Sequence, residues 1–80
     1  MPCVVCGMDP TDIDHIRSRG AGGSDEWWNV WELCRRDHQE RHRIGLPAFV
    51  EKHHPKTTKA LDDRGWKVEK FFGIRKVVRK

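Results

Sequence analysis

The sequence predicts a small α+β domain in which two short strands and a helix come first, and further helices and short strands follow as an appendage. Its 80 residues fit one small domain. Short segments that alternate apolar and polar residues favour strands, whereas longer segments that begin near proline or end at glycine favour helices. No internal repeat or low-complexity stretch indicates another architecture.

The first part of the chain is expected to hold the two strands with a loop between them. Residues 3–7 have the composition of a tight knuckle, and residues 11–16 are predicted as the first strand. Residues 18–25 contain three glycines, which can adopt positive φ, and therefore predict a loop. The second strand is predicted within residues 27–33, where apolar residues alternate loosely.

The rest of the chain is expected to be helical before it ends in strands. The first helix is predicted over residues 35–43, with a glycine soon after it, and the second over residues 47–53, with a proline in its first turn. A third helix is predicted over residues 56–64. Residues 66–78 predict two short strands that turn at Gly73.

The core that this chain can form is thin. Only 36% of its residues are hydrophobic, and a core of this size alone supplies about 3–5 kcal/mol, so a staple is expected. Three cysteines cannot all pair with one another, which favours reduced, metal-binding thiols in a cytoplasmic protein over a disulfide framework. No apolar stretch is long enough for a signal peptide or a membrane span, so no membrane partner is expected.

The positive charge is concentrated near the end of the chain. The net charge is +4, from 16 basic and 12 acidic residues. From Trp66 onward six bases accompany the single acid Glu69, whereas the preceding residues carry 10 bases and 11 acids. A basic tail fits a polyanion such as DNA or RNA, although the charge alone is equally compatible with a solvated tail.

Three cysteines are spaced for a metal site. Cys3 and Cys6 form a C-x-x-C pair whose thiolates can reach one tetrahedral ion, and Cys34 can return as a third ligand. Asp37 and His38 are both candidates for the fourth ligand, since either shares a helix face with Cys34. Alternatively, the three cysteines are buried free thiols that pack as small hydrophobic residues. A structural ion would contribute on the order of 10 kcal/mol to folding.

Two histidine clusters carry the candidate chemistry. His15 follows Asp14 directly; an imidazole can accept a proton near neutral pH while a neighbouring carboxylate binds a hard cation. His38 and His42 are four residues apart on the predicted helix, so both can bind one divalent ion. Asn29 lies between the clusters, where its amide could hold the loop that presents His15. Taken singly, each residue is a weak signal, and His15 alone is better explained as an ordinary half-buried histidine, but the order of all of them is difficult to attribute to chance.

Four stretches of the chain resemble one nuclease family. CVVCG, DIDHI, GAGGSDEWWNVWELC and CRRDHQERHRIG together look like the small HNH endonucleases of the ββα-metal type, particularly the zinc-stapled forms of phages and prophages. The resemblance implies a zinc-bound ββα-metal core over residues 1–45. Residues 46–80 would be a helical extension and basic tail packed on the same domain. A phage-encoded protein would act in the host-cell cytoplasm.

The resemblance assigns catalytic roles to five residues. It implies that His15 is the general base, that Asp14 is a ligand of the catalytic ion, and that Asn29 steadies the loop. His38 would be the final motif histidine and an ion ligand, and His42 a further ligand. The ion could be Mg²⁺, Mn²⁺, Ni²⁺, Co²⁺ or Zn²⁺, because a set of carboxylate and imidazole ligands is compatible with each of these metals.

A separate structural Zn²⁺ would be held by Cys3, Cys6, Cys34 and Asp37. Asp37 departs from the family pattern, which usually has Cys or His at this point. We favour Asp37 over His38 as the zinc ligand, because helix geometry then directs positions 34 and 37 one way and positions 38 and 42 another.

The expected substrate is DNA, contacted mainly through its phosphate backbone and either nicked or cleaved in both strands. Arg17, Arg19, Arg35 and Arg41 are candidates for phosphate contacts, whereas Arg36 and Arg43 are interpreted as solvated. The three tryptophans of the WWNVW stretch could stack on bases, but packing is favoured for at least two of them.

Other functions remain compatible with the sequence. The alternative function is a non-catalytic zinc module that binds nucleic acid or a protein. A homodimer, or dependence on a larger phage protein partner, would also suit so small a nuclease.

Overall fold

The computed structural model of the chain contains three α-helices and two two-stranded antiparallel sheets. It describes residues 2–80, without the side chains of Arg19, Phe71 and Ile74. In chain order the elements are β1 (Thr11–His15), β2 (Val30–Cys34), α1 (Arg35–Ile44), α2 (Leu46–Lys52), α3 (Lys56–Asp63), β3 (Trp66–Phe71) and β4 (Ile74–Arg79). The mixed α+β class predicted from the sequence is therefore confirmed.

The second strand is shorter than the sequence predicted. Residues Trp27–Asn29 form a 3₁₀ turn instead of the start of β2, and the N–H of Asn29 donates to the carbonyl of Glu26 at 2.8 Å. A second 3₁₀ turn covers Arg19–Ala21 inside the predicted loop. The loosely alternating segment 27–33 therefore contains a 3₁₀ turn followed by most of a strand.

The pairing of β1 with β2 determines which side chains face α1. In this antiparallel pair Asp14 lies opposite Trp31, and Asp12 lies opposite Leu33. Residues two apart on a strand point to the same face, and so do directly opposed residues. All four side chains therefore share one face of the ribbon, against which α1 packs.

The core draws on both parts of the chain. Its buried members are Cys3, Ile16, Trp31, Leu33, Phe49, Val50, Leu61 and Trp66. The ββα unit at the start of the chain thus buries its apolar face against α2, α3 and β3, and all these elements share one hydrophobic core. Within residues 2–80, every helix is too short or too polar to span a bilayer.

A charged bridge joins α1 to α2. His53 Nε2 lies 2.6 Å from Glu40 Oε1, and Lys52 Nζ donates to Glu40 Oε2 at 2.6 Å. The hydrogen bond with His53, followed by that from Lys52, lowers the pKa of Glu40 to about 2. Glu40 is therefore ionised well below neutral pH and links α1 to the end of α2, close to the junction at Gly45, which has a φ of +87°.

The substitution Leu61→Ala tests whether α3 contributes to the common core. Leu61 is fully buried, so its truncation should lower the free energy of unfolding by about 2–5 kcal/mol. The control Lys59→Ala, in the same helix but 79% exposed in its side chain, should change it by less than about 0.5 kcal/mol. Guanidinium unfolding measures both, and equal effects would place α3 outside the core.

Candidate functional site

The cysteine knuckle is built by backbone hydrogen bonds. The N–H of Gly7, which has a φ of +74°, donates to the carbonyl of Cys3 at 2.9 Å. The N–H of Cys3 in turn donates to the carbonyl of Met8 at 3.0 Å. Val4 N–H donates to the carbonyl of Glu32 in β2 at 2.9 Å, so the knuckle is fixed beside the end of β2, where Cys34 lies.

Four side chains converge beside the knuckle. Cys6 Sγ lies 3.7 Å from Cys34 Sγ, and Asp37 Oδ2 lies 3.3 Å from Cys3 Sγ and 3.2 Å from Cys34 Sγ. Ligands of a tetrahedral zinc ion, bound at about 2.0–2.3 Å, lie about 3.3–3.8 Å apart. The donor atoms are thus already near ligand spacing, and the cluster could hold a metal ion.

The protonation of this cluster is set by burial and by hydrogen bonds. Burial raises the pKa of the Cys34 thiol to about 11. Burial also acts to raise the pKa of Asp37, but hydrogen bonds from Cys34 and Cys3 outweigh it and lower that pKa below its usual value. At neutral pH the metal-free cluster therefore holds Asp37 as a carboxylate and Cys34 as a thiol, and a bound cation would displace the Cys34 proton.

The structure places Asp37 and His38 in different clusters. Asp37 is buried against the thiols, whereas His38 turns toward β1, where its Nε2 lies 3.3 Å from Asp14 Oδ1. Successive helix positions differ by about 100°, so neighbouring residues cannot share one site. Of the two candidates for the fourth ligand, Asp37 is the one beside the cysteines.

Asp14 is a buried carboxylate with one oxygen fully engaged. Its side chain is 2% exposed. Asp14 Oδ2 accepts hydrogen bonds from Trp31 Nε1 at 2.8 Å and from Arg41 Nε at 2.9 Å. Its Oδ1 faces α1, so the two donors orient one oxygen toward the histidines of that helix.

His38 and His42 complete a second cluster of potential metal ligands. Their Nε2 atoms lie 3.3 and 3.2 Å from Asp14 Oδ1, and 3.1 Å from each other. Ligand atoms about 2.1 Å from one ion lie about 3.0–3.4 Å apart at octahedral or tetrahedral angles. One carboxylate oxygen and two imidazole nitrogens at this spacing suit a divalent cation.

His15 lies at the end of β1, beside this cluster. It lines a surface cavity of about 280 Å³ together with Asp14, His38 and His42. His15 Nε2 lies 2.7 Å from Asp25 Oδ1, and its carbonyl accepts a hydrogen bond from Arg41 at 3.2 Å. The candidate base and the candidate ligands therefore border one space.

Asn29 holds together the loop that follows His15. Its Oδ1 accepts from the N–H of Arg17 at 2.9 Å, and its Nδ2 donates to the carbonyls of Arg17 at 3.0 Å and Ser24 at 2.7 Å. The side chain is fully buried. Gly23 lies so close to this junction that a Cβ there would overlap the carbonyl of Arg17. The two ends of the loop are thus joined through one amide.

The arginines predicted to contact phosphate have different surroundings. Arg17 is exposed, with its guanidinium 5.5 Å from the ring centre of Trp66. Arg35 is also exposed and pairs with Asp12, whereas the side chain of Arg19 lies outside the described residues. Arg41 is only 12% exposed in its side chain, and its guanidinium is engaged by Asp14 and by the carbonyls of the His15 segment.

The three tryptophans of the WWNVW stretch also differ in their surroundings. Trp28 and Trp31 pack in or against the core, while Trp27 is 67% exposed.

Two carboxylates beside the site were not identified from the sequence. Asp25 contacts His15, and Asp12 contacts His38 Nδ1 at 3.2 Å and Arg35 Nε at 3.0 Å. The hydrogen bond with His38, followed by that with Arg35, lowers the pKa of Asp12. The D-x-D alternation in β1 is the signal that places Asp12 on the face of Asp14. For Asp25 no such signal exists, because its position depends on the path of the loop.

The substitution Cys34→Ser tests the thiol cluster. It should abolish binding of the Zn²⁺ ion expected at this site and unfold the chain at a lower temperature, because that ion would contribute on the order of 10 kcal/mol to folding. Metal content and thermal unfolding measure both effects, and a chelator should reproduce the loss in the unaltered chain. Unchanged thermal stability after complete metal removal would show that the cysteines act only as packed thiols.

The substitution Asn29→Ala tests the joined loop. It would remove the hydrogen bonds of the Asn29 amide to the part-buried backbone of Arg17 and Ser24, at a cost of about 1–3 kcal/mol. Ser24→Ala is the control, since it retains the Ser24 carbonyl and removes only the 3.4 Å bond from the N–H of Glu26 to the hydroxyl. Thermal unfolding should separate the variants, and amide exchange in the loop should accelerate only for Asn29→Ala.

Comparison with known proteins identifies the family. The family described as "Putative HNHc nuclease" matches residues 1–71, a stretch that includes both ligand clusters and His15. No curated protein and no solved structure matches the chain. The match covers most of the 80 residues and confirms the resemblance to HNH nucleases seen in the sequence motifs. The chain belongs to this HNH nuclease family.

Proposed function

We propose that this protein is a metal-dependent endonuclease that hydrolyses phosphodiester bonds in DNA, nicking one strand or cleaving both. The observation that carries the proposal is the common cavity of His15 and the converging atoms of Asp14, His38 and His42. A proton acceptor next to a cation site can activate water and stabilise the charge that develops during phosphodiester hydrolysis. Membership of a nuclease family supports a nucleic-acid substrate.

The residues proposed to hold the catalytic ion are Asp14, His38 and His42. Their donor set fits a divalent ion, because one anionic oxygen and two nitrogens are separated by the distances that a shared cation imposes. When bound, a divalent ion at this point would stabilise negative charge on the phosphate and on the leaving oxygen. Mg²⁺, Mn²⁺, Ni²⁺, Co²⁺ and Zn²⁺ are all candidates.

His15 is the proposed general base. A carboxylate only accepts hydrogen bonds, so the contact with Asp25 assigns the proton of neutral His15 to Nε2 and leaves the lone pair on Nδ1. The imidazole then takes a proton from a water molecule placed for attack on phosphorus. Asn29 acts indirectly, as a positioning residue, because it closes the loop that follows His15.

Positive side chains near the cavity are proposed to hold the DNA backbone. Arg17 is exposed two residues after the base and is the strongest candidate for a phosphate contact. Arg35 can add to the field around the site, and the bases from Trp66 onward contribute sequence-independent, salt-sensitive affinity. Arg41 is assigned instead to positioning Asp14, because its guanidinium donates inward.

The finer architecture follows from these assignments. β1, β2 and α1 with the ion between them would form a ββα-metal core over residues 1–45, stapled by a structural Zn²⁺ at Cys3, Cys6, Cys34 and Asp37. Residues 46–80 would be an extension packed on that core. The support is the shared set of buried residues and the spacing of the two ligand clusters.

Cleavage of supercoiled plasmid in a series of divalent ions tests the function. His15→Ala should slow cleavage by about 10²–10⁴-fold, the usual contribution of a positioned base. His54→Ala is the matched control, since His54 is exposed and hydrogen-bonds Thr58 at 2.9 Å, away from the cavity. Equal rates for the unaltered chain and His15→Ala would remove His15 from the mechanism. No cleavage by the unaltered chain in any ion would favour the alternative of a non-catalytic zinc module.

A further inference from the structure

A second carboxylate of β1 lies on the far side of the His38 ring. Asp12 and Asp14 are two residues apart on the strand and so share its α1-facing side. Asp14 Oδ1 approaches His38 Nε2 at 3.3 Å, while Asp12 Oδ2 approaches His38 Nδ1 at 3.2 Å. The two acids therefore contact the two different nitrogens of one imidazole.

Asp12 is itself held in place. Arg35 Nε donates to Asp12 Oδ2 at 3.0 Å, and its second terminal nitrogen reaches Asp12 Oδ1 at 3.5 Å. Arg35 begins α1, and His38 follows one turn later on the same helix. The Asp12 carboxylate is 30% exposed in its side chain. Thus α1 supplies both the group that orients Asp12 and the ring that Asp12 contacts.

We propose that Asp12 is a positioning residue that keeps the His38 proton on Nδ1 and thereby presents the Nε2 lone pair to the cation site. A carboxylate offers only acceptors, so each acid favours a proton on the nitrogen that it contacts. The contact of Asp12 with Nδ1 is the shorter of the two and has hydrogen-bond geometry, and in the neutral ring it favours the Nδ1–H tautomer. In that tautomer His38 Nε2 is an acceptor that converges with Asp14 Oδ1. Two acceptors this close repel each other unless a cation, or the Nε2–H of His42, lies beside both.

The inference rests on the proposed catalytic ion and adds a residue to its environment. In a metal-bound histidine, a carboxylate that contacts the ring nitrogen not bound to the metal fixes the ring and increases its basicity. Loss of such a contact typically weakens metal affinity about 10–100-fold. Asp12 would contact a ligand and not the ion itself, since it lies beside Nδ1 of His38, whereas Asp14 and His42 lie near Nε2. Its effect should therefore appear in metal affinity and in the tautomer of His38.

The effect on metal affinity is measured by titrating zinc-loaded protein with Mn²⁺ and following the electron paramagnetic resonance signal of the free Mn²⁺. The protein is loaded with one equivalent of Zn²⁺, which thiolates bind in preference to carboxylate and imidazole ligands, so Mn²⁺ then reports the carboxylate and imidazole site. Asp12→Ala and Asp12→Asn should bind Mn²⁺ about 10–100-fold more weakly than the unaltered chain. Asp63→Asn removes the same charge from α3, where Asp63 is 62% exposed in its side chain, and should leave the affinity unchanged.

Nitrogen NMR of the histidine rings in the Mn²⁺-free protein measures the second effect. His38 should be protonated on Nδ1 in the unaltered chain and in Asp63→Asn, and should shift toward the Nε2–H form in Asp12→Ala. An imidazole released from its contacts also favours the Nε2–H form, so the same variants are checked by near-UV circular dichroism of the tryptophans, which must show an unchanged fold.

The outcomes separate the two proposals. Equal Mn²⁺ affinity and an unchanged His38 tautomer in folded Asp12→Ala would overturn the role of Asp12 and leave the catalytic-ion proposal intact. Failure of the unaltered chain to bind Mn²⁺ or any other divalent ion outside the thiol cluster would overturn the cation site, and the Asp12 inference with it.

Discussion

The buried carboxylate of Asp14 is the constraint on which the rest of the site depends. An ionised group excluded from water costs several kcal/mol unless it is hydrogen-bonded and paired. Trp31 and Arg41 supply those partners from different elements, one from the core face of β2 and the other from α1. The orientation of the carboxylate is therefore linked to the packing of the helix on the ribbon. Trp31 serves both purposes, because its ring fills the core while its N–H fixes the site.

Helix α1 separates two chemically different clusters by its periodicity. Cys34 and Asp37 lie on the side of the knuckle, while His38 and His42 lie over β1. Thiolates select soft or borderline cations, whereas a mixed carboxylate and imidazole set accepts harder ones. The separation of Asp37 from His38 and His42 along one ten-residue helix would therefore allow the two clusters to bind different ions. The helix is further linked to α2 by the Glu40 bridge.

Local features of the fold could be predicted from the sequence, whereas contacts between distant loops could not. Gly45, Pro47 and Gly65 marked the helix boundaries, because their backbone preferences are local. The start of β2 was predicted too early, since the backbone of the 3₁₀ turn at Trp27–Asn29 also bonds Trp66, far along the chain, through the carbonyl of Trp28.

For the candidate site as well, local spacing could be predicted from the sequence, whereas contacts between elements could not. The i, i+4 spacing of His38 and His42 was sufficient to predict that both rings lie on one helix face. The salt bridge of Arg41 with Asp14 could not be predicted. Arg41 is one of several basic residues in α1, and the sequence alone does not show which of them points inward.

Two side chains that follow α3 form hydrogen bonds to the backbone on either side of Asn29. Trp66 Nε1 donates to the carbonyl of Trp28 at 2.5 Å, and Arg64 Nε donates to the carbonyl of Val30 at 2.9 Å. These two carbonyls flank Asn29, the residue whose amide closes the loop after His15. The backbone on both sides of Asn29 is therefore anchored by side chains that lie outside the HNH motif residues. In the proposed mechanism the motif would supply the reactive groups, and the position of His15 beside the cation ligands would depend on these two hydrogen bonds.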